Sequence, residues 1–137
     1  MEEVVKAPVL VLIAKKGCPG CEQFTNSPSP KESQWSKIVS DPDIHSICYI
    51  REFHLAERAT DANGKPYITT TPPQFGTQFG VPRISLVKFD EYQRCFDIND
   101  PTVSNTNGPV MSTVDYSGSR THVQIKDWII QKYPTMF

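Results

Sequence analysis

Five consecutive apolar residues, Val9-Leu10-Val11-Leu12-Ile13, lead within a few positions into Cys18-Pro19-Gly20-Cys21. A run with no polar alternation has no face to turn toward water, so a strand built from it must be covered on both sides, as in a parallel sheet packed between helices. Pro8 bounds the run on one side and Lys15-Lys16-Gly17 on the other. Cys18-Pro19 then opens a helix, because proline in the first helical turn forfeits an N–H that would have no partner there. A central strand that delivers two cysteines to a helix N-terminus constrains this chain more than any other feature.

The predicted helix passes through Glu22-Gln23-Phe24, must kink or break at Pro28 and Pro30, resumes its apolar spacing at Trp35, Ile38 and Val39, and ends near Asp41-Pro42. Residues 44–53, with Ile47, Tyr49, Ile50 and Phe53, read as a second strand, which completes a parallel strand–helix–strand unit. Residues 56–62 read as a short helix among prolines and glycines, and Ile84 to Phe89 as a strand. Met111 to Tyr116 is a further strand antiparallel to it, and Tyr92 to Ile98 an additional one. Thr121-His122-Val123-Gln124 has the form of a capping box, and Ile125, Trp128, Ile129 and Tyr133 follow on one face of a C-terminal helix stopped by Pro134. The fold class is α/β, a central mixed sheet flanked by helices.

At 137 residues and 38% hydrophobic content the chain suffices for one core, so a single domain over residues 1–137 is expected, with an insertion at about 91–110. A net charge of -1 gives no electrostatic reason to bind nucleic acid or an anionic membrane. No apolar run approaches the roughly 20 residues of a membrane span, and Met1-Glu2-Glu3 is unlike a secretory leader, so a cytoplasmic location is expected. The insertion, longer than a hairpin connection, is a candidate carrier of partner specificity.

The two spaced cysteines have a direct chemical reading. Thiolate is the attacking species, and a cysteine at a helix N-terminus is stabilised as the anion by unpaired backbone N–H groups and the positive end of the helix dipole. Cys18 takes that place and is the expected nucleophile. Cys21, three residues on and on the same face, is the expected resolving thiol, which attacks the mixed disulfide formed at Cys18. Lys15, Lys16 and Arg83 are candidates to lower the Cys18 pKa further, and the basic rim would favour acidic substrate peptides. Cys48 and Cys95 are expected to be non-catalytic. A zinc site would need more ligands than Cys18 and Cys21, and the three histidines are not paired at ligand spacing, so no metal is expected.

The order of features resembles thioredoxin and the related domains of glutaredoxins and protein disulfide isomerases. Those features are the buried strand, Cys18-Pro19-Gly20-Cys21 at a helix mouth, Gly80-Val81-Pro82 leading into a strand, and Tyr116-Ser117-Gly118 before the last helix. The resemblance covers residues 8–54 and 75–133. It departs at Gly17, where thioredoxin has Trp, and in the Pro-Gly dipeptide between the cysteines. It implies a thioredoxin-like fold, a cis Pro82 beside the cysteine pair, and substrate contacts at Gly17, Pro19, Gly20, Val81 and Pro82, with Val81 offering its backbone to an extended substrate. The acid beneath the thioredoxin site would fall near Leu12, which leaves Glu22, Glu52 or water to handle protons.

The function so implied is thiol–disulfide exchange between the Cys18/Cys21 pair and protein or peptide disulfides, in a monomer recycled by an external thiol reductant or oxidant, with no cofactor beyond the cysteines. Two alternatives stay open. One is a binding module of the same fold without turnover. The other is a glutathione-dependent glutaredoxin, for which Lys15, Lys16 and Val81-Pro82 are of the right kind, whereas Gly118 stands alone where that family has a glycine pair.

Overall fold

The computed structural model describes residues 7–29, 31–55, 73–75, 80–96, 98 and 110–135. Its order is β1 (Val9–Lys15), α1 (Pro19–Asn26), α2 (Gln34–Val39), α3 (Pro42–His45), β2 (Tyr49–Leu55), a 3-10 turn (Pro73–Phe75), β3 (Arg83–Val87), α4 (Phe89–Cys95), β4 (Thr113–Asp115) and α5 (His122–Lys132). The strands form a mixed sheet in the order β2-β1-β3-β4. β1 runs parallel to β2, with Val9 opposite Tyr49 and Lys15 opposite Leu55. It runs antiparallel to β3, with Val9 opposite Val87, and β3 is antiparallel to β4.

The apolar run of β1 is explained by two cores. Leu10, Leu12 and Ala14 point to one side, where they meet Ile84 and Leu86 of β3, Cys21 and Phe24 of α1, Trp35 and Ile38 of α2, and Ile125 and Ile129 of α5. Val9, Val11 and Ile13 point to the other, against Phe53, Phe75, Val87, Tyr92, Cys95, Phe96, Ile98 and Met111. Residues 9–13 are fully buried, and each of these branched side chains contributes roughly 1.5–3 kcal/mol by leaving water.

Three expectations are corrected. The second strand starts at Tyr49, because Asp41 caps the Asp43 N–H at 2.9 Å and Pro42 begins the short helix α3, which takes in Ile44. The strand expected from Tyr92 to Ile98 is not found: residues 92–95 belong to helix α4, Phe89–Cys95. Asp90 and Glu91 occupy its first turn, where acidic groups suit the helix dipole. Tyr92, Cys95 and Phe96 recur at helical spacing and cover the second face of the sheet. β3 likewise ends at Val87, short of Phe89. α1 ends at Asn26, before the prolines, and α5 begins at its Thr121 cap, whose side chain accepts the Gln124 N–H at 3.3 Å. The 56–62 helix and positions 99–109 of the insertion lie outside the described residues, whereas residues 91–95 of the insertion belong to α4. Among the described residues no helix is long and apolar enough to cross a membrane.

A buried carboxylate ties α3 to α5. Asp41 Oδ2 accepts from His122 Nε2 at 2.7 Å and from Lys126 Nζ at 3.0 Å, while the His122 N–H donates to Gln34 Oε1 at 2.8 Å. The hydrogen bond from His122, then that from Lys126, holds the Asp41 carboxyl well below the usual carboxylate range against the opposing effect of burial. A depressed folded-state pKa contributes stability above the unfolded value of about 3.9, and that contribution is lost as pH falls through the carboxylate range. Asp41→Asn keeps a capping side chain and removes the charge. It is expected to lower stability at pH 7 by about 1–2 kcal/mol and to flatten the loss of stability below about pH 5. Chemical denaturation across pH measures both; an acid slope identical to that of the parent would place the acid sensitivity elsewhere.

Candidate functional site

The site is built where β1 ends. The Lys16 N–H bonds the Leu55 carbonyl at 2.8 Å, and the Cys18 N–H bonds the Lys15 carbonyl at 3.2 Å, closing a tight turn. Gly17 sits in that turn at φ 84, a left-handed conformation that side chains disfavour, which is a local reason for glycine directly before the first cysteine. Cys18 is extended and serves as the N-cap of α1, with Pro19 in its first turn. The Cys18 Sγ accepts the Cys21 N–H at 3.3 Å, so sulfur takes the role that an oxygen usually has at an N-cap.

The two thiols are unlike. Cys18 is half-buried, whereas Cys21 is 2% exposed and its Sγ accepts the Lys15 N–H at 3.4 Å. A hydrogen bond from the Cys21 thiol, backed by the Cys21 and Gly20 backbone N–H groups and the charge of Arg120, lowers the Cys18 pKa against the effect of partial burial. Burial pushes the Cys21 thiol up to about 11, and its hydrogen bond to Cys18 adds to the rise. None of the four cysteines is in a disulfide.

Val81 and Pro82 lie against this pair. The Cys18 thiol donates to the Val81 carbonyl at 3.7 Å, and the Val81–Pro82 peptide is cis. A Cβ on Gly20 would stand 3.5 Å from Pro82 Cδ and 3.6 Å from Arg120 Nη1, so Pro82 and Arg120 wall the motif on that side. The structure therefore gathers Gly17, Cys18, Pro19, Gly20, Cys21, Val81 and Pro82.

The three cations proposed to tune Cys18 are arranged differently. Arg83 is turned to the other side of the sheet: its guanidinium donates to the Phe75 carbonyl at 2.7 Å and to Thr113 Oγ1 at 2.8 Å, and it pairs with Asp115 at 3.1 Å. Lys15 and Lys16 are exposed at the rim of a cleft of about 370 Å³ on the Cys21 side. Arg120, whose guanidinium lies against Gly20, adds a charge that lowers the Cys18 pKa, the least of the causes named above. No local sequence signal marks Arg120, because its approach to Gly20 depends on where the turn before α5 docks.

Cys48 and Cys95 are buried, one in each core, and burial pushes the Cys48 thiol up to about 12. Among the described residues no three histidine, cysteine or acidic side chains are grouped so as to hold a metal ion. No protein-family model matches the chain, and no curated protein is similar to it.

Alkylation of Cys18 followed across pH is expected to show an inflection below the value of about 8.5 of an unperturbed thiol. Arg120→Ala should raise it, by less than loss of the helix-end N–H groups would, since its charge is the least of the causes that lower it. Lys15→Ala and Lys16→Ala should leave it in place; a larger shift from either lysine than from Arg120 would reverse the assignment.

Proposed function

We propose that the chain is a thiol–disulfide oxidoreductase of thioredoxin-like fold, acting on protein or peptide disulfides through Cys18 and Cys21. The observation that carries this reading is the asymmetry of the pair: a half-buried thiol with a lowered pKa caps α1, and a buried thiol with a raised pKa stands one turn behind it. Structural cysteines have no need of that difference, whereas exchange does, because one thiol must attack and the other must wait. The strand order β2-β1-β3-β4, with β1 parallel to β2 and the next two strands antiparallel, supports the fold assignment.

The reaction runs in two displacements. The Cys18 thiolate attacks one sulfur of the substrate disulfide; that S–S bond breaks, and the departing substrate thiolate takes a proton. Cys21 then gives up its proton and attacks the Cys18 sulfur of the mixed disulfide. The second substrate thiolate leaves, the substrate disulfide has been reduced by two electrons, and Cys18–Cys21 is the new disulfide. An external thiol reductant restores the dithiol, or an external oxidant drives the sequence in reverse. The Val81 carbonyl, bonded to the Cys18 thiol in the dithiol state, is released when Cys18 ionises and can receive an N–H from an extended substrate. The proposal includes a monomer in the cytoplasm and no further cofactor.

Equilibration in defined thiol buffers, followed by alkylation and mass measurement in a Cys48→Ala/Cys95→Ala background, tests the reading. A cooperative two-electron transition is expected between roughly -270 and -120 mV, the span of such pairs. Cys18→Ser should abolish it, and Cys21→Ser should halt the reaction at a stable mixed disulfide with substrate. If no Cys18–Cys21 disulfide forms at any potential, the oxidoreductase reading fails.

A further inference from the structure

Resolution of the mixed disulfide presents a proton problem that the cysteine pair alone does not solve. Burial, the first cause of the raised Cys21 pKa, persists when Cys18 is tied into a mixed disulfide, so at pH 7 the resolving thiol is held mainly in its protonated form. Leu12, on the strand beneath the motif, is fully buried and carries no ionisable group. The Cys21 proton needs another acceptor.

The cleft of about 370 Å³ beside Cys21 contains one. Its lining includes Ala14, Cys21, Trp35, Glu52 and His54. Leu12 pairs with Glu52 and Ala14 with His54 across β1 and β2, so Glu52 and His54 stand on the sheet face that carries Cys21. Ala14 is the smallest residue of β1, and its short side chain leaves room between α1 and β2 where a longer one would fill the space. Trp35 Nε1 donates to Glu52 Oε1 at 2.9 Å and His54 Nε2 lies 3.1 Å from the same oxygen, which fixes the carboxylate on the cleft wall. The Glu52 and His54 side chains are each 39% exposed, so solvent reaches the outer end of the cleft. Cys21, 2% exposed, closes its inner end.

We infer that Glu52, positioned by Trp35 and His54, accepts the proton of the resolving thiol Cys21 through water in the cleft that Ala14 leaves open. This deepens the oxidoreductase reading and rests on it. In the step, the Cys21 S–H proton passes to the Glu52 carboxylate while Cys21 Sγ bonds Cys18 Sγ, and the bond from Cys18 to the substrate sulfur breaks. The substrate leaves as a thiolate, reduced, and Cys21 is oxidised. Among the described residues, the other titratable groups facing this path are Lys15 and Lys16 at the end of β1, Glu22 on α1 and His54 on β2, with Cys18 and Arg120 also acting on Cys21. Glu22 is the competing carboxylate, but it accepts from Asn26 Nδ2 at the exposed surface of α1.

Rapid mixing of the reduced protein with an aromatic disulfide reagent that liberates a coloured thiolate separates the two steps. The first release is bimolecular and reports attack by Cys18; the second is unimolecular and reports attack by Cys21. Glu52→Gln retains an oxygen for Trp35 and is expected to slow the second release by about tenfold or more near neutral pH, the low end of general base catalysis, with the first release unchanged. Its deficit should vanish as pH rises toward the titration of Cys21 itself, so the second release should climb more steeply with pH in the variant than in the parent. A merely structural role would leave that profile in place. Ala14→Val narrows the cleft without touching a charge and should slow the same phase. An unchanged second release and pH profile in Glu52→Gln, or the deficit appearing in Glu22→Gln instead, would overturn the inference. Absence of both releases in the parent protein would sink the oxidoreductase reading itself.

Discussion

β1 has no exposed residue between Val9 and Ala14 and no sheet edge of its own. A backbone so deeply buried must have its N–H and C=O groups paired on both sides, and β2 and β3 provide those partners. Its side chains alternate into two separate cores, so α1, α2 and α5 on one face and α4 on the other each cover apolar surface that β1 would otherwise expose. The position of the cysteine motif follows from the same strand. A rigid, fully buried β1 ends at Lys15, and three residues later the chain must enter a helix whose N-terminus opens at the end of the sheet.

That geometry differentiates two chemically identical groups. The first cysteine caps the helix, where backbone N–H groups converge on its sulfur, and the second falls one turn deeper, against Ala14 and the helices of the first core. One side chain is therefore stabilised as an anion and the other is held as a neutral thiol. The separation is produced by the hydrogen bond between the two thiols, the burial of Cys21 and the helix-end N–H groups around Cys18, with Arg120 as a smaller charge contribution. The basic rim at Lys15 and Lys16 belongs to the cleft on the Cys21 side, facing Glu22, Glu52 and His54.

The second core braces the strands that frame the site. Phe53 of β2, Phe75 and Phe96 lie within 5.0 to 5.6 Å of one another, ring centre to ring centre, and Tyr92 packs on Phe96 at 5.2 Å. Arg83, on the strand that follows Pro82, is anchored by Asp115, Thr113 and the Phe75 carbonyl. These contacts fix the start of β3, and with it the Val81 carbonyl that meets Cys18. On the opposite face the Asp41 carboxylate joins α3 to α5, and α5 is preceded by the turn that presents Arg120 to Gly20. Each wall of the site is thus held by packing well removed from the sulfur atoms.

The amino-acid sequence by itself determined the features that depend on near neighbours. An apolar run longer than alternation allows required a doubly covered strand, proline after cysteine set the helix start at Cys18, and Thr121 with Gln124 set the start of α5. It also indicated which thiol is the less buried, since the first cysteine stands at the helix mouth and the second one turn further in. Composition misled at Tyr92 to Ile98, where β-favouring aromatics masked a 3–4 residue spacing that only burial against the second sheet face turned into α4. Tertiary structure alone decided the partners of the site. Val81 reaches Cys18 across 63 positions, Glu52 reaches Trp35 across 17, and Arg83, close to the motif in the sequence-based reading, turns instead toward Asp115. Such pairings depend on strand order, register and helix docking, which are properties of the packed sheet as a whole and leave no trace in any local stretch of sequence.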